Sequence, residues 1–118
     1  MKTVFVVLIE WVREFESNTS VQLYSDIEKA KDYLRKESLI ELEHYKGNTI
    51  YYEEEDGSYI KELLAQLDND FKIVDDEECA NWVVQASTTH FSVYKKDEYP
   101  TDHFAIDIFE KIIDEEIT

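Results

Sequence analysis

Residues 4–9 read Val-Phe-Val-Val-Leu-Ile with no polar interruption. Six consecutive β-branched, aromatic or aliphatic side chains predict a strand central in its sheet and covered on both faces. Trp11 and Phe15 then alternate with Glu10, Glu14 and Glu16, so the strand runs on with one wet face. Ser17-Asn18-Thr19-Ser20 reads as a turn, and Val21, Leu23 and Tyr24 as a short returning strand, which makes a hairpin.

Ser25-Asp26-Ile27-Glu28 has the spacing of a capping box, in which the Ser25 hydroxyl accepts from the Glu28 amide and the Glu28 carboxylate reaches back. The helix that follows carries Ile27, Ala30 and Leu34 on one face, with Tyr33 beside them, and continues through Leu39, Ile40, Leu42 and Tyr45. This pattern predicts roughly twenty residues of helix with an interruption near Ser38. Lys46-Gly47 is the stop, because a cation suits the negative end of the helix dipole and Gly accepts the left-handed cap.

Residues 49–52 form a brief strand-like stretch leading into the acidic turn Glu53-Glu54-Glu55-Asp56-Gly57. With Ser58 as cap, Ile60, Leu63, Leu64 and Leu67 fall at i, i+3, i+4 and i+7, an amphipathic helix that Asp68-Asn69-Asp70 ends. Residues 71–74, 82–86 and 91–94 read as strands, the first two separated by Asp75-Asp76-Glu77-Glu78 and the last preceded by a Thr88-Thr89-His90 turn. Beyond Pro100, Phe104, Ile106 and Ile108 alternate with His103 and Asp107, which favours a strand to about Phe109; Phe109, Ile112 and Ile113 would also suit a closing helix, and the residues after 109 are left open between the two. The order β-β-α-(β)-α-β-β-β-β contains no repeated βαβ unit. It predicts an α+β domain, a mostly antiparallel sheet with two helices packed on one face. At 118 residues the chain is the size of one domain, spanning 1–118.

Charge changes the picture from fold to partner. Residues 1–46 hold nine acids and seven bases, whereas residues 47–118 hold nineteen acids and five bases, so nearly all of the net charge of -16 lies in the second segment. A field of that sign repels phosphate backbones and anionic lipid, which excludes direct binding of nucleic acid or membrane surfaces. It suits a basic protein surface. The residues expected to carry such docking are the two acidic runs with their neighbouring tyrosines: Glu53, Glu54, Glu55, Asp56 and Tyr59, then Asp75, Asp76, Glu77, Glu78 and Tyr99.

The chemistry-bearing residues point away from catalysis. His44, His90 and His103 have no metal-ligand spacing, the lone Cys79 sits among carboxylates that oppose thiolate formation, and two glycines cannot build a phosphate cradle. Asp68-Asn69-Asp70-Phe71-Lys72 departs from a calcium loop at its fifth position, where Lys72 stands. Neither metal nor cofactor is expected, and the chain reads as a non-enzyme. His103 with Asp107 is the one pair that could orient an imidazole as a base. A single cysteine and an apolar run too short for a signal peptide or membrane span predict a cytoplasmic protein.

Small, acidic and cysteine-poor, the chain resembles in composition phage-encoded counter-defence proteins, including anti-CRISPR proteins. That resemblance implies an inhibitor that imitates the phosphate array of a nucleic acid and occupies a basic groove. The opening strands and the Ser25-Asp26-Ile27-Glu28-Lys29-Ala30 helix resemble many small bacterial and phage proteins that begin β-β-α. The alternative expectation is an accessory domain without a charge-driven partner, homodimeric through an edge strand or exposed aromatics.

Overall fold

The computed structural model describes residues 2–13, 16–53, 57–67, 71–95 and 102–113. Among them the chain forms β1 (Lys2–Arg13), β2 (Glu16–Tyr24), α1 (Ile27–Glu43), β3 (Thr49–Glu53), α2 (Gly57–Ala65), β4 (Lys72–Ile73), β5 (Trp82–Ala86), β6 (His90–Lys95) and β7 (His103–Ile113), with a 3-10 turn at Glu77–Cys79. The strands make one sheet in the order β2-β1-β7-β6-β5-β3-β4. Pairing is antiparallel except at one end, where β3 runs parallel to both β4 and β5. The architecture is the expected α+β one, and the second acidic run joins two strands that flank β3.

One face of this sheet holds the core. Val7 and Ile9 of β1, Phe91 and Val93 of β6, Val84 of β5 and Ile106 of β7 pack with Ala30, Leu34 and Leu42 of α1 and Leu63 and Leu64 of α2. Both helices therefore cover the same face, because each presents a single apolar stripe and a strand offers alternate residues to it.

Several local expectations are corrected. β1 lies inside the sheet, between β2 and β7, yet only one of its faces is fully covered: Val7 and Ile9 are buried while Val4, Val6 and Leu8 are half-buried. Hydrogen bonding on both sides makes a strand central without requiring a layer on each face. Ser17, Asn18, Thr19 and Ser20 are strand, not turn, since β2 pairs with β1 without a break from Phe5↔Tyr24 to Arg13↔Glu16. Polar residues are tolerated there because β2 is an edge strand with both faces wet. Phe15, expected to prolong β1, lies outside the described residues.

Helix α1 begins one residue later than the capping-box reading placed it. Asp26 rather than Ser25 is the cap, its Oδ1 accepting from the Glu28 amide at 2.9 Å. No interruption occurs at Ser38, whose buried hydroxyl donates back to the Leu34 carbonyl at 2.7 Å and so keeps its polar atom satisfied within the helix. Regular helix ends at Glu43, and the chain turns through Gly47 at φ 86°. Ser58 lies inside α2 instead of capping it. His90 belongs to β6, and β7 continues as strand to Ile113, because β1 supplies partners along its whole length as far as Lys2↔Ile113.

Candidate functional site

The face of the sheet turned away from the helices carries the groups with chemical potential. Alternation and register place Val6, Leu8, Val21, Leu23 and Phe109 on it toward the β2 side, then Asp107, His90, Ser92 and Gln85, then Tyr94 and Val83. β4 and β5 lie on opposite sides of β3 and run the same way, so the chain between them must cross β3, and it does so on this open face. The 3-10 turn Glu77–Cys79 packs against β3, and the Tyr94 hydroxyl donates to Glu77 Oε1 at 3.2 Å. Val83 is fully buried although it points away from the core.

That crossing segment holds the second acidic run. Asp75, Asp76 and Glu78 are exposed and Glu77 is half-buried. Asp76 is held by local structure, since its Oδ1 accepts from the Glu78 amide at 3.0 Å as cap of the turn. Glu77 faces Tyr94, so Asp75, Asp76 and Glu78 are the exposed carboxylates of the run, with Asp76 engaged as cap. Of the first acidic group, Glu53 is the last residue of β3, Tyr59 lies within α2, and nothing further is described of their side chains. Glu54, Glu55, Asp56 and Tyr99 lie outside the described residues.

A polar cluster that the sequence did not reveal lies in the middle of the open face. His90 Nδ1 is 2.5 Å from Asp107 Oδ1, His90 Nε2 is 3.2 Å from Ser92 Oγ, and Ser92 Oγ donates to Gln85 Oε1 at 3.5 Å. Asp107 thus serves His90 across the β6–β7 ladder, where the two are directly paired, and not His103. His103 shares the strand face but stands four residues away, about 13 Å at strand rise. Only the β6–β7 register could have shown this pairing, and no local motif encodes it.

Carboxylate, imidazole and hydroxyl in that order are the connectivity of an activated nucleophile. Among the described residues, the strand that carries His90 and Ser92 does not supply the rest of such a site. β6 is paired on both sides, so its backbone amides serve the ladder and not a developing oxyanion. Ser92 Oγ is shared between His90 Nε2 and Gln85 Oε1, and the His90 and Asp107 side chains are each 36% exposed on an open sheet. The cluster acts as a cross-strand clasp joining β5, β6 and β7.

A second polar network ties the sheet to the helix layer. Arg13 Nη2 donates to both oxygens of Glu41, and the Tyr45 hydroxyl donates to Glu41 Oε2 at 2.5 Å. Burial, then the hydrogen bond to Glu41, pushes the Tyr45 phenol well above its ordinary range. Burial also raises the Tyr33 phenol, with the negative charge of Glu37 adding to it.

Cys79 is exposed at the end of the 3-10 turn. Among the described residues no group of three or more His, Cys, Asp or Glu is placed to hold a metal ion, and no helix is long and apolar enough to cross a membrane. Comparison with protein-family models, curated proteins and solved structures finds no match to this chain.

Proposed function

We propose that this protein is a non-enzymatic docking domain that binds a basic surface of another protein through its acidic segment. The observation supporting this is the crossing segment itself: consecutive carboxylates on the face opposite both helices, braced by the Asp76 cap and by Tyr94 on Glu77. A braced array loses less entropy on binding than a floppy one, and carboxylates of one sign steer a basic partner into encounter. In its sharper form the reading is an inhibitor of phage counter-defence type, whose carboxylates stand in for phosphates in the basic groove of a nucleic-acid-binding protein. A cytoplasmic setting, where the free Cys79 stays reduced, completes it.

The test is affinity capture of a partner with the wild-type chain and with the double variant Asp75→Lys, Glu78→Lys. A basic protein retained by the wild type, lost by the variant, and released as ionic strength rises toward about 0.5 M, where the Debye length is roughly 4 Å, supports the reading. Capture that is indifferent to both changes refutes it.

A further inference from the structure

The two edges of the sheet are built differently. β4 is two residues long and carries Lys72, features that discourage pairing with another chain. β2 is nine residues long, pairs with β1 without a bulge, and has no described element on its outer side. It contains neither Pro nor Lys, and residues 17–25 carry no charge in a chain whose residues are 34% charged. From Ser17 onward its composition resembles the uncharged interior strand β5 more than an edge. Its outer N–H and C=O groups are a template for one more strand.

We propose that the occupant is β2 of a second copy, added antiparallel about a two-fold axis normal to the sheet. Electrostatics selects this occupant. Two chains of net charge -16 repel wherever their acidic segments approach. β2 lies six strand positions from β4, about 29 Å at ordinary strand spacing, and the Asp75–Asp76–Glu77–Glu78 crossing belongs to the β4 end. Edge-to-edge pairing through β2 therefore leaves the two acidic ends about 60 Å apart, many times the roughly 8 Å Debye length of physiological salt. A basic partner strand has nothing to choose at β2, since no acid faces it between Ser17 and Ser25.

The pairing is self-complementary. Ser17, Thr19, Val21 and Leu23 point to the open face and Asn18, Ser20, Gln22 and Tyr24 to the helix face, so a two-fold axis sets like face beside like. Val21 and Leu23, 53% and 64% exposed, gain cover from the copy and join Val6, Leu8 and Phe109 in one apolar stripe across the join. On the helix face, a cleft of about 290 Å³ between Tyr24 and Lys29, Asp32, Tyr33 and Lys36 of α1 adjoins the added strand. The symmetry closes after two copies, which uses up the edge instead of leaving it for further chains.

Sedimentation of the full chain tests this, with and without the pair of substitutions Thr19→Lys and Val21→Lys, both on exposed side chains of the edge. The expected result is a species of twice the 14.0 kDa chain mass, converted by the two lysines to a monomer that melts where the wild type melts once diluted to monomer. The dimer fraction stays unchanged over the salt range that releases the partner complex, because the acidic ends are already screened from each other, so failure of this inference and failure of the docking reading are distinguishable. Hydrogen exchange on the wild type gives a second readout: alternate β2 amides gain protection as concentration rises. A monomer at every salt and concentration, or a dimer indifferent to the edge lysines with unprotected β2 amides, overturns the proposal.

Discussion

Arg13, near the end of β1, grips the carboxylate of Glu41, twenty-eight residues further on in α1, with Nη2 lying 2.5 and 2.6 Å from its two oxygens. Glu41 is 4% exposed and Ser38 is the other buried polar residue of α1. The polar atoms of a carboxylate so placed are satisfied by the donors that the guanidinium and the Tyr45 phenol supply.

Removing the guanidinium strands that charge. Arg13→Ala is expected to destabilise the fold by about 1–3 kcal/mol, below the full cost of breaking a buried pair because the Arg13 side chain is itself 44% exposed. Glu41→Gln, which keeps an acceptor and removes the charge, costs less. Urea unfolding with an unchanged slope reads the difference as a shift in midpoint.

Tyr45 gives a pH dependence of known sign. Its phenol is raised by burial and by Glu41 in the folded chain, whereas in the unfolded chain it ionises near the ordinary value of about 10. Above that pH the unfolded state loses a proton the folded state keeps, so this contribution is complete below about pH 10 and is lost as pH climbs toward the folded value. Wild-type stability should fall more steeply on the alkaline side than that of Tyr45→Phe. Parallel alkaline limbs in denaturant titrations of the two proteins would contradict the assignment.

The clasp around His90 predicts chemical silence. With the β6 amides engaged in the ladder on both sides, Ser92 should remain unmodified by a fluorophosphonate probe, and intact-mass spectrometry should show no adduct on either wild type or Ser92→Ala after treatment. Stoichiometric labelling at Ser92 would overturn the non-enzymatic reading. His90→Ala should lower stability by only about 0.5–1.5 kcal/mol, as expected for loss of a partly exposed hydrogen-bonded pair.

Gly47 isolates a backbone effect. A Cβ there meets nothing within 4 Å, so the consequence of Gly47→Ala comes from its φ of 86° alone. About 1–2 kcal/mol of destabilisation is expected, and less for Gly47→Asn, whose side chain tolerates the left-handed region. Equal melting temperatures for Gly47→Ala and wild type would show that the turn relaxes without cost.

Apolar period made the strands, both helices and the α+β class readable, because the core face recruits alternate residues in β1, β6 and β7 and a stripe in α1 and α2. What could not be read were features fixed by pairing. The strand character of Ser17–Ser20 depends on β1 across the ladder, and the His90 contact with Asp107 depends on a register set by residues seventeen apart. Glu41 reads as a surface acid at helical spacing until β1 brings Arg13 beside it. The acidic run at 75–78 was legible as charge; its bracing by Tyr94 was not, because that requires a chain crossing over β3.

β7 has a consequence for how the sheet comes together. On one side it pairs with β1 from Lys2↔Ile113 to Val12↔His103, and on the other with β6. The first strand and the last described one are neighbours, while the hairpins β1–β2 and β5–β6 are local in sequence. The sheet therefore assembles as two local blocks whose junction must wait for the longest loop closure in the chain, a slow step by contact order. A protease cut ahead of β7 that frees this strand would split the sheet down its middle, because β7 is a keystone and not a rim.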